Sequence, residues 1–485
     1  MRIAYLTSEL APWAKTGGLG DVSAALPPEL QKLGHEVRVF LPLYARVRVA
    51  AAPGPALERA VLRLGALRIE YGVAIARLPG TDLDVWLIDC PPLYERPGIY
   101  TQDDDEHLRF LTLTCAALDS CRRSEWTPDI VHAHDWQTAL APLYLKSVYR
   151  GETAFARTRT VLTIHNLGYQ GVFGAEVKED LGLGEAEGLL HQDDLRAGRL
   201  GFLKSGLAYA DALSTVSPTY AREIQTERYG MGLDGVLRQR ARDLVGILNG
   251  IDVAEWNPRT DKHLTSHYSE KSLGRKETNK EKLLASLGLE YAKRVPVVGI
   301  VSRLTAQKGI ELLESVIPEV MGETDLRFVA LGSGEPRLEH MLQTIQQRFP
   351  GRACFFRGFN EALAHQIEAG ADLFLMPSLY EPCGLNQMYS MRYGTAPVVR
   401  ATGGLADTVH PFDPATGEGT GFVFEHYTQD GLRWALRRGL QVYGDARAWR
   451  KLQTNGMAVD FSWTTSARRY QELYERVAAT AEVPR

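Results

Sequence analysis

Twice along this chain a short apolar run ends in a polar or glycine-rich loop that opens a helical pattern, and each time the alternation then continues. The first series begins with an apolar run at 2–7. A loop at 15–21 follows, holding Gly17, Gly18 and Gly20, then helical spacing over 22–33 that stops at Gly34, then a second apolar run at 37–41. That is a βαβ unit. Buried-strand patterns recur at 85–88, 130–133, 161–164 and 212–216. A second series restarts at 295–301 and continues through 326–331, 353–357, 373–376 and 396–399, with helical spacing at 310–320 and 362–369 between them. Two such series predict an α/β protein of two Rossmann-like, doubly wound domains, and 485 residues is an ordinary length for two.

The boundaries expected are a first domain over 1–248, a second over 249–462, and a closing helix over 463–485 that packs back on the first. A hinge is expected near 249–258. The stretch 259–282, rich in Lys, Glu, Asp, Ser and Thr, reads as a solvated segment beside it. Ligands of open α/β sheets bind at the carboxyl ends of strands, so two such domains facing each other make one deep cleft.

Charge narrows the partners. Lys and Arg number 55 against 59 Asp and Glu, a net charge of -4. This gives no basic stripe for nucleic acid and no polybasic membrane patch, so any phosphate binding is local. No apolar run reaches the ~18 residues of a spanning helix, and the N-terminal run is too short for a signal peptide. Five cysteines (Cys90, Cys115, Cys121, Cys354, Cys383) without a CxxC pair fit a reducing compartment. The expectation is a cytoplasmic enzyme.

The loop Lys15-Thr-Gly-Gly-Leu-Gly-Asp21 lets backbone approach a ligand, and it leads into a helix N-terminus that favours an anion. It is no Walker A loop, because its lysine precedes the glycines, and Ser23 stands where GxGxxG needs its third glycine. A plain tight turn is the alternative. In Asp129-Ile-Val-His-Ala-His-Asp-Trp136, Asp135 sits at a strand end, suited to accept from sugar hydroxyls. His132 and His134 share a strand face but lack an evident third metal ligand. Thr163-Ile-His-Asn repeats the arrangement with His165 and Asn166.

In Ser302-Arg-Leu-Thr-Ala-Gln-Lys308 two cations straddle a loop after the first strand of the second series. They are either surface charges or a clamp on a diphosphate. Glu381 precedes a helix expected to start near Cys383 or Gly384, where a carboxylate orients hydroxyls and the following N–H groups face an anion. Thr402-Gly-Gly404 offers another glycine-rich helix entry, and Cys383, without an assigned base, reads as a lining thiol. Asp82 and Asp84 precede a strand and read as a solvated turn.

KTGGLGDV, HAHDW, TIHN, ILNGID, SRLTAQKG and YEPCGLNQMYSMRYGT with TGGL, in that order, resemble the bacterial and plant glycogen and starch synthase family. The resemblance implies a GT-B fold and a retaining hexosyltransferase. It implies ADP-glucose as donor and the non-reducing end of an α-1,4-glucan as acceptor; no metal or cofactor is expected, because Lys15, Arg303 and Lys308 offer fixed positive charge for the diphosphate. Lys15, Gly17 and Gly18 would contact the donor, with Asp21 among the binding residues; Arg303 and Lys308 would hold the diphosphate. Glu381 with the backbone of Cys383, Gly384 and Leu385 would hold the glucose, and Thr402, Gly403 and Gly404 would lie near the phosphates. Asp135, His165 and Asn249 would line the glucosyl site, with the His165 carbonyl facing the reacting carbon. Phe359 stands where the family often stacks Tyr on adenine, and Tyr389 where related transferases carry a second Glu.

Three rivals stay distinct: an ADP-glucose transferase forming maltose 1-phosphate, a nicotinamide oxidoreductase, and a non-catalytic glucan-binding protein. The missing third glycine, and no acidic residue closing the first βαβ motif, argue against the oxidoreductase.

Overall fold

The computed structural model describes residues 1–479, and the chain divides into two compact units. The first comprises residues 1–216 and 221–250 together with the helix Trp463–Ala479; the second comprises 217–220 and 251–462. Residues 480–485 of the expected closing helix lie outside the described residues.

The first unit is built on β1 (Arg2–Leu6), β2 (Glu36–Pro42), β3 (Glu58–Leu64), β4 (Leu67–Arg77), β5 (Asp84–Asp89), β6 (Ile130–His134) and β7 (Arg159–Ile164). A short pair, β8 (Val172–Gly174) and β9 (Arg199–Gly201), stands apart, and β10 (Ala212–Thr215) and β11 (Leu244–Gly246) complete the main sheet. Its order is β11-β10-β7-β6-β1-β2-β5-β4-β3, parallel except that β4 runs antiparallel to both neighbours. Helices on both faces leave the central strands buried on both sides, so any polar side chain there needs a partner inside the protein. Accordingly all five residues of β6 are buried.

The second unit has β12 (Val297–Leu304), β13 (Arg327–Gly334), β14 (Ala353–Arg357), β15 (Leu373–Met376), β16 (Ala396–Arg400) and β17 (Phe422–Phe424). They form one wholly parallel sheet in the order β14-β13-β12-β15-β16-β17. Val298, Ile300, Leu373, Leu375 and Val398 pack one face of it against the helices Leu313–Glu323 and Gln429–Tyr443. The two passages between units are adjacent: Ile251 pairs with Ser462, and the Ile251 N–H donates to the Phe461 carbonyl at 2.8 Å.

The structure corrects the sequence reading in three places. The helix after the first glycine loop begins at Gly18, not Val22, so Gly18 and Gly20 fall in its first turn and Gly17 at its N-cap. The helix after Glu381 begins at Asn386, because Gly384 adopts φ +72, a left-handed conformation that no right-handed helix accepts. The stretch 259–282 is not simply solvated. Asp261, Lys276 and Lys280 are buried, and the helix Lys276–Ser286 packs on the helix Glu361–Gly370. Buried cations need full partners. Lys276 donates to the carbonyls of Glu368 and Ala369 at 3.0 and 2.8 Å and to Thr395 Oγ1 at 2.7 Å. Lys280 pairs with Asp372 at 2.8 Å. Burial lowers the Lys276 ammonium to about 7.

Candidate active site

In the first unit the glycine loop is anchored by a residue that no motif announced. Buried Glu9 accepts from the backbone N–H of Thr16 at 2.7 Å and of Gly17 at 3.1 Å, from Thr16 Oγ1 at 2.6 Å, and from Tyr100 at 2.7 Å. The loop is thus fixed, and its first two donors serve Glu9 rather than an incoming anion. Lys15 pairs with Asp21 at 2.6 Å across the same loop. A side chain at Gly20 would press on Lys15, at 3.1 Å from its Cβ and Cγ, whereas Gly17 and Gly18 face open space.

Asp135, at the end of β6, takes φ +53, a left-handed conformation rare outside glycine. The strain aims its carboxylate at the next strand end. Oδ1 accepts the His165 N–H at 2.7 Å and the Asn166 N–H at 3.4 Å. Asp135 therefore orients the peptide that carries the His165 carbonyl, besides offering its second oxygen. Burial pushes its carboxyl up to about 7.

His165 is buried and uncharged, its imidazolium lowered to about 3 by desolvation. Its Nε2 lies 2.9 Å from His134 Nδ1. His132 is committed on both nitrogens, Nε2 to Thr163 Oγ1 at 2.6 Å and Nδ1 to the Tyr474 hydroxyl at 2.7 Å. The His132–His134 pair is thus a structural core and offers no paired metal ligands. Asn249 is buried, and its Oδ1 has no hydrogen-bond partner among the described residues. Such an orphan acceptor is costly unless a ligand hydroxyl or water meets it.

In the second unit the two strand-end loops meet. Lys308 Nζ lies 2.9 and 2.7 Å from the two oxygens of buried Glu381, and Ser378 Oγ donates to the same carboxylate at 2.9 Å. Gln307 and Leu379 join the loops through backbone, N–H to carbonyl at 2.9 Å. Arg400, buried beneath, donates to the carbonyls of Ser378 and Leu379 and holds the turn from below. Sequence reading passed over Arg400 because it ends a strand like any surface arginine. Arg303 lies exposed near the end of β12.

Gly403 and Gly404 serve close approach. A Cβ on Gly403 would sit 1.8 Å from the Glu381 carbonyl oxygen, and one on Gly404 2.1 Å from that of Cys383. The Gly404 N–H donates to the Glu381 carbonyl at 3.2 Å, so buried Thr402 and both glycines clamp the 381–383 turn. Cys383 is buried beside them, and Leu385 caps the helix Asn386–Arg392. Phe359 stands 80% exposed on a loop after β14. Tyr389 is buried and stacked on Trp256 at 3.8 Å. Asp82 and Asp84 pair with Arg77 in an exposed turn.

Two parallel-sheet units of this construction, each with charged or glycine-rich loops at strand ends, define a glycosyltransferase of the GT-B type. Residues 2–239 match the starch synthase catalytic domain family and residues 288–453 the glycosyl transferases group 1 family. Glycogen synthases of Anaeromyxobacter sp. (strain Fw109-5) and Myxococcus xanthus are 46% and 44% identical, each covering 99% of this chain and 100% of the relative. The catalytic domain of starch synthase IV from Arabidopsis thaliana, solved bound to ADP and acarbose, superposes with TM-score 0.91 at 35% identity over 99% of both chains. A sucrose-phosphate synthase from Thermosynechococcus elongatus, at TM-score 0.60 and 18% identity over 99% of both chains, shares the fold. The chain belongs to the glycogen synthase family and is a hexosyltransferase. No helix among the described residues is long and apolar enough to cross a membrane.

Proposed function

We propose that this enzyme transfers glucose from ADP-glucose to the non-reducing end of an α-1,4-glucan with retention, releasing ADP. The observation that carries the reading is the Lys308–Glu381 pair, a fixed cation and a fixed carboxylate held together by two strand-end loops. The family supplies the substrate class, and the ADP bound by the starch synthase relative supports the donor. A cytoplasmic setting fits five unpaired cysteines.

In this reading Lys308 and Arg303 hold the diphosphate, and Glu381 orients glucose hydroxyls. Phe359 offers its exposed ring to the adenine. Lys15 adds a further charge toward the donor, and Asn249 Oδ1 accepts from a glucose hydroxyl. As the bond from glucose C1 to the phosphate oxygen breaks, negative charge grows on ADP and positive character on the sugar. Fixed cations offset the first; Asp135 and the His165 carbonyl face the second. The acceptor hydroxyl oxygen then bonds to C1 on the same face, and its proton passes to the departing phosphate oxygen. No carboxylate is needed as a nucleophile.

The test is incorporation of radiolabelled glucose from ADP-glucose or UDP-glucose, with glycogen or glucose 1-phosphate as acceptor. Polymer labelling from ADP-glucose is expected. Label appearing only in maltose 1-phosphate, or in neither product, would refute the reading.

A further inference from the structure

Away from the residues just described, a buried imidazole in the second unit lies beside two carboxylates that form no ion pair with a lysine or arginine among the described residues. We propose that Glu255, Glu361 and His365 form a binding site for one divalent cation of the zinc class.

The helix Glu361–Gly370 places Glu361 and His365 four residues apart, on one face. Glu255 comes from the segment that follows the passage at Ile251 into the second unit. One ligand atom from each of the three lies within 4.8 Å of the others. Glu255 and Glu361 are exposed, His365 only 1% so. Two carboxylates this close repel unless a shared proton or a metal cation joins them, and burial and the Glu361 carboxylate raise Glu255 above the usual carboxylate range. The next cation along the chain, Arg259, is committed to Glu270 at 2.7 Å.

The imidazole supplies the independent sign. His365 Nδ1 lies 2.8 Å from Asp261 Oδ2, and the same oxygen accepts from the Tyr393 hydroxyl at 2.6 Å. Nε2 is buried and has no hydrogen-bond partner among the described residues. A carboxylate on one ring nitrogen fixes the tautomer and orientation and leaves the other nitrogen a lone pair, the arrangement that metal-binding histidines use. Trp256, stacked flat on the ring at 3.8 Å and 9°, holds its plane.

Donor chemistry chooses the ion. One imidazole nitrogen and two carboxylates suit zinc, with water in the remaining position. Mg²⁺ and Ca²⁺ prefer oxygen alone and gain nothing from a pre-oriented imidazole. The bound cation would tie the segment 252–257 to the helix at 361–370.

The full-length enzyme, treated with chelator and desalted, is titrated with Zn²⁺ by calorimetry and with Co²⁺ by visible absorption. One saturable equivalent of Zn²⁺ is expected, together with a Co²⁺ d–d band typical of low coordination. Glu255→Gln and Glu361→Gln alter exposed side chains and should fold. Each should weaken that equivalent at least tenfold, and the double variant should lose the Co²⁺ band. Absence of a saturable equivalent, or an unchanged affinity and band in the double variant, would overturn the proposal.

Discussion

Lys308 and Glu381, 73 residues apart in sequence, form a charge pair in which one ammonium meets both carboxylate oxygens, at 2.7 and 2.9 Å. The pair holds two loops together, and it keeps the cation of the proposed diphosphate site from standing as an unbalanced charge. Binding a diphosphate would turn Lys308 toward a second anion, so its role in structure and its role in turnover are separable.

Lys308→Ala leaves Glu381 buried with Ser378 alone. The expected outcome is destabilisation of about 3 kcal/mol and a turnover loss of roughly 10²–10³-fold. The pair Lys308→Met with Glu381→Gln should recover stability in denaturant titration without recovering turnover. Arg303→Ala, at an exposed position, should lose turnover on the same scale while keeping stability. A folded Lys308→Ala enzyme with near-normal turnover would remove that residue from the mechanism.

Asp135 governs pH dependence. Its carboxyl titrates near 7 in the folded chain against 3.8 when free, because burial penalises the anion. The folded state therefore keeps the proton to higher pH, and this contribution to stability, full below about 4, is lost as pH rises through about 7. In the proposed mechanism catalysis runs the other way, since there only the ionised group stabilises the developing positive charge. The profile of kcat/KM should rise through an apparent pKa near 7. Asp135→Asn should remove that limb and lower the plateau; a retained limb would assign it to another group.

Phe359 is exposed, so Phe359→Ala should move stability by no more than about 0.5 kcal/mol. It should raise KM for ADP-glucose more than it lowers kcat, because contacts to the base change little along the reaction. Phe359→Tyr should be nearly neutral. Equal KM values for the Ala variant and the parent would place the adenine elsewhere.

Glucosyl transfer should survive exhaustive EDTA with most of its turnover. In the proposed mechanism Lys15, Arg303 and Lys308 supply the charges that offset the leaving diphosphate. Asp82 and Asp84 are tied to Arg77, and His132 spends both nitrogens inside the protein. The cation proposed at Glu255, Glu361 and His365 bears on stability instead, so chelation should lower the melting temperature of zinc-loaded enzyme and spare its rate. Inactivation by EDTA reversed by Mg²⁺ or Mn²⁺ would defeat the cationic account.

What the sequence disclosed was local. Strands buried on both faces hold short, mostly apolar runs, so β6, β7, β12 and β15 were visible, and the loops after them could be searched for charges. The antiparallel arm β3–β4 escaped, since its alternating residues give no sign of which sheet edge they join. Glu9 escaped because its task is to accept N–H groups seven and eight residues away, which leaves no signature in residue type. Lys276 and Lys280 read as surface charges. Their partners Glu368, Ala369, Thr395 and Asp372 lie about ninety to one hundred and twenty positions later, and only folding brings them together.

The helix Trp463–Ala479 packs on the helix Gly18–Lys32, and its Tyr474 hydroxyl meets His132 in the middle of the first sheet. A ribosome that has made every strand of that sheet has therefore not yet made the residue that closes over its central histidines. The nascent first unit must wait, with Tyr470 and Tyr474 still unsynthesised, while more than two hundred residues of the second unit emerge. Loss of the segment 463–479 would thus show as damage in the first unit, hundreds of residues earlier in the chain.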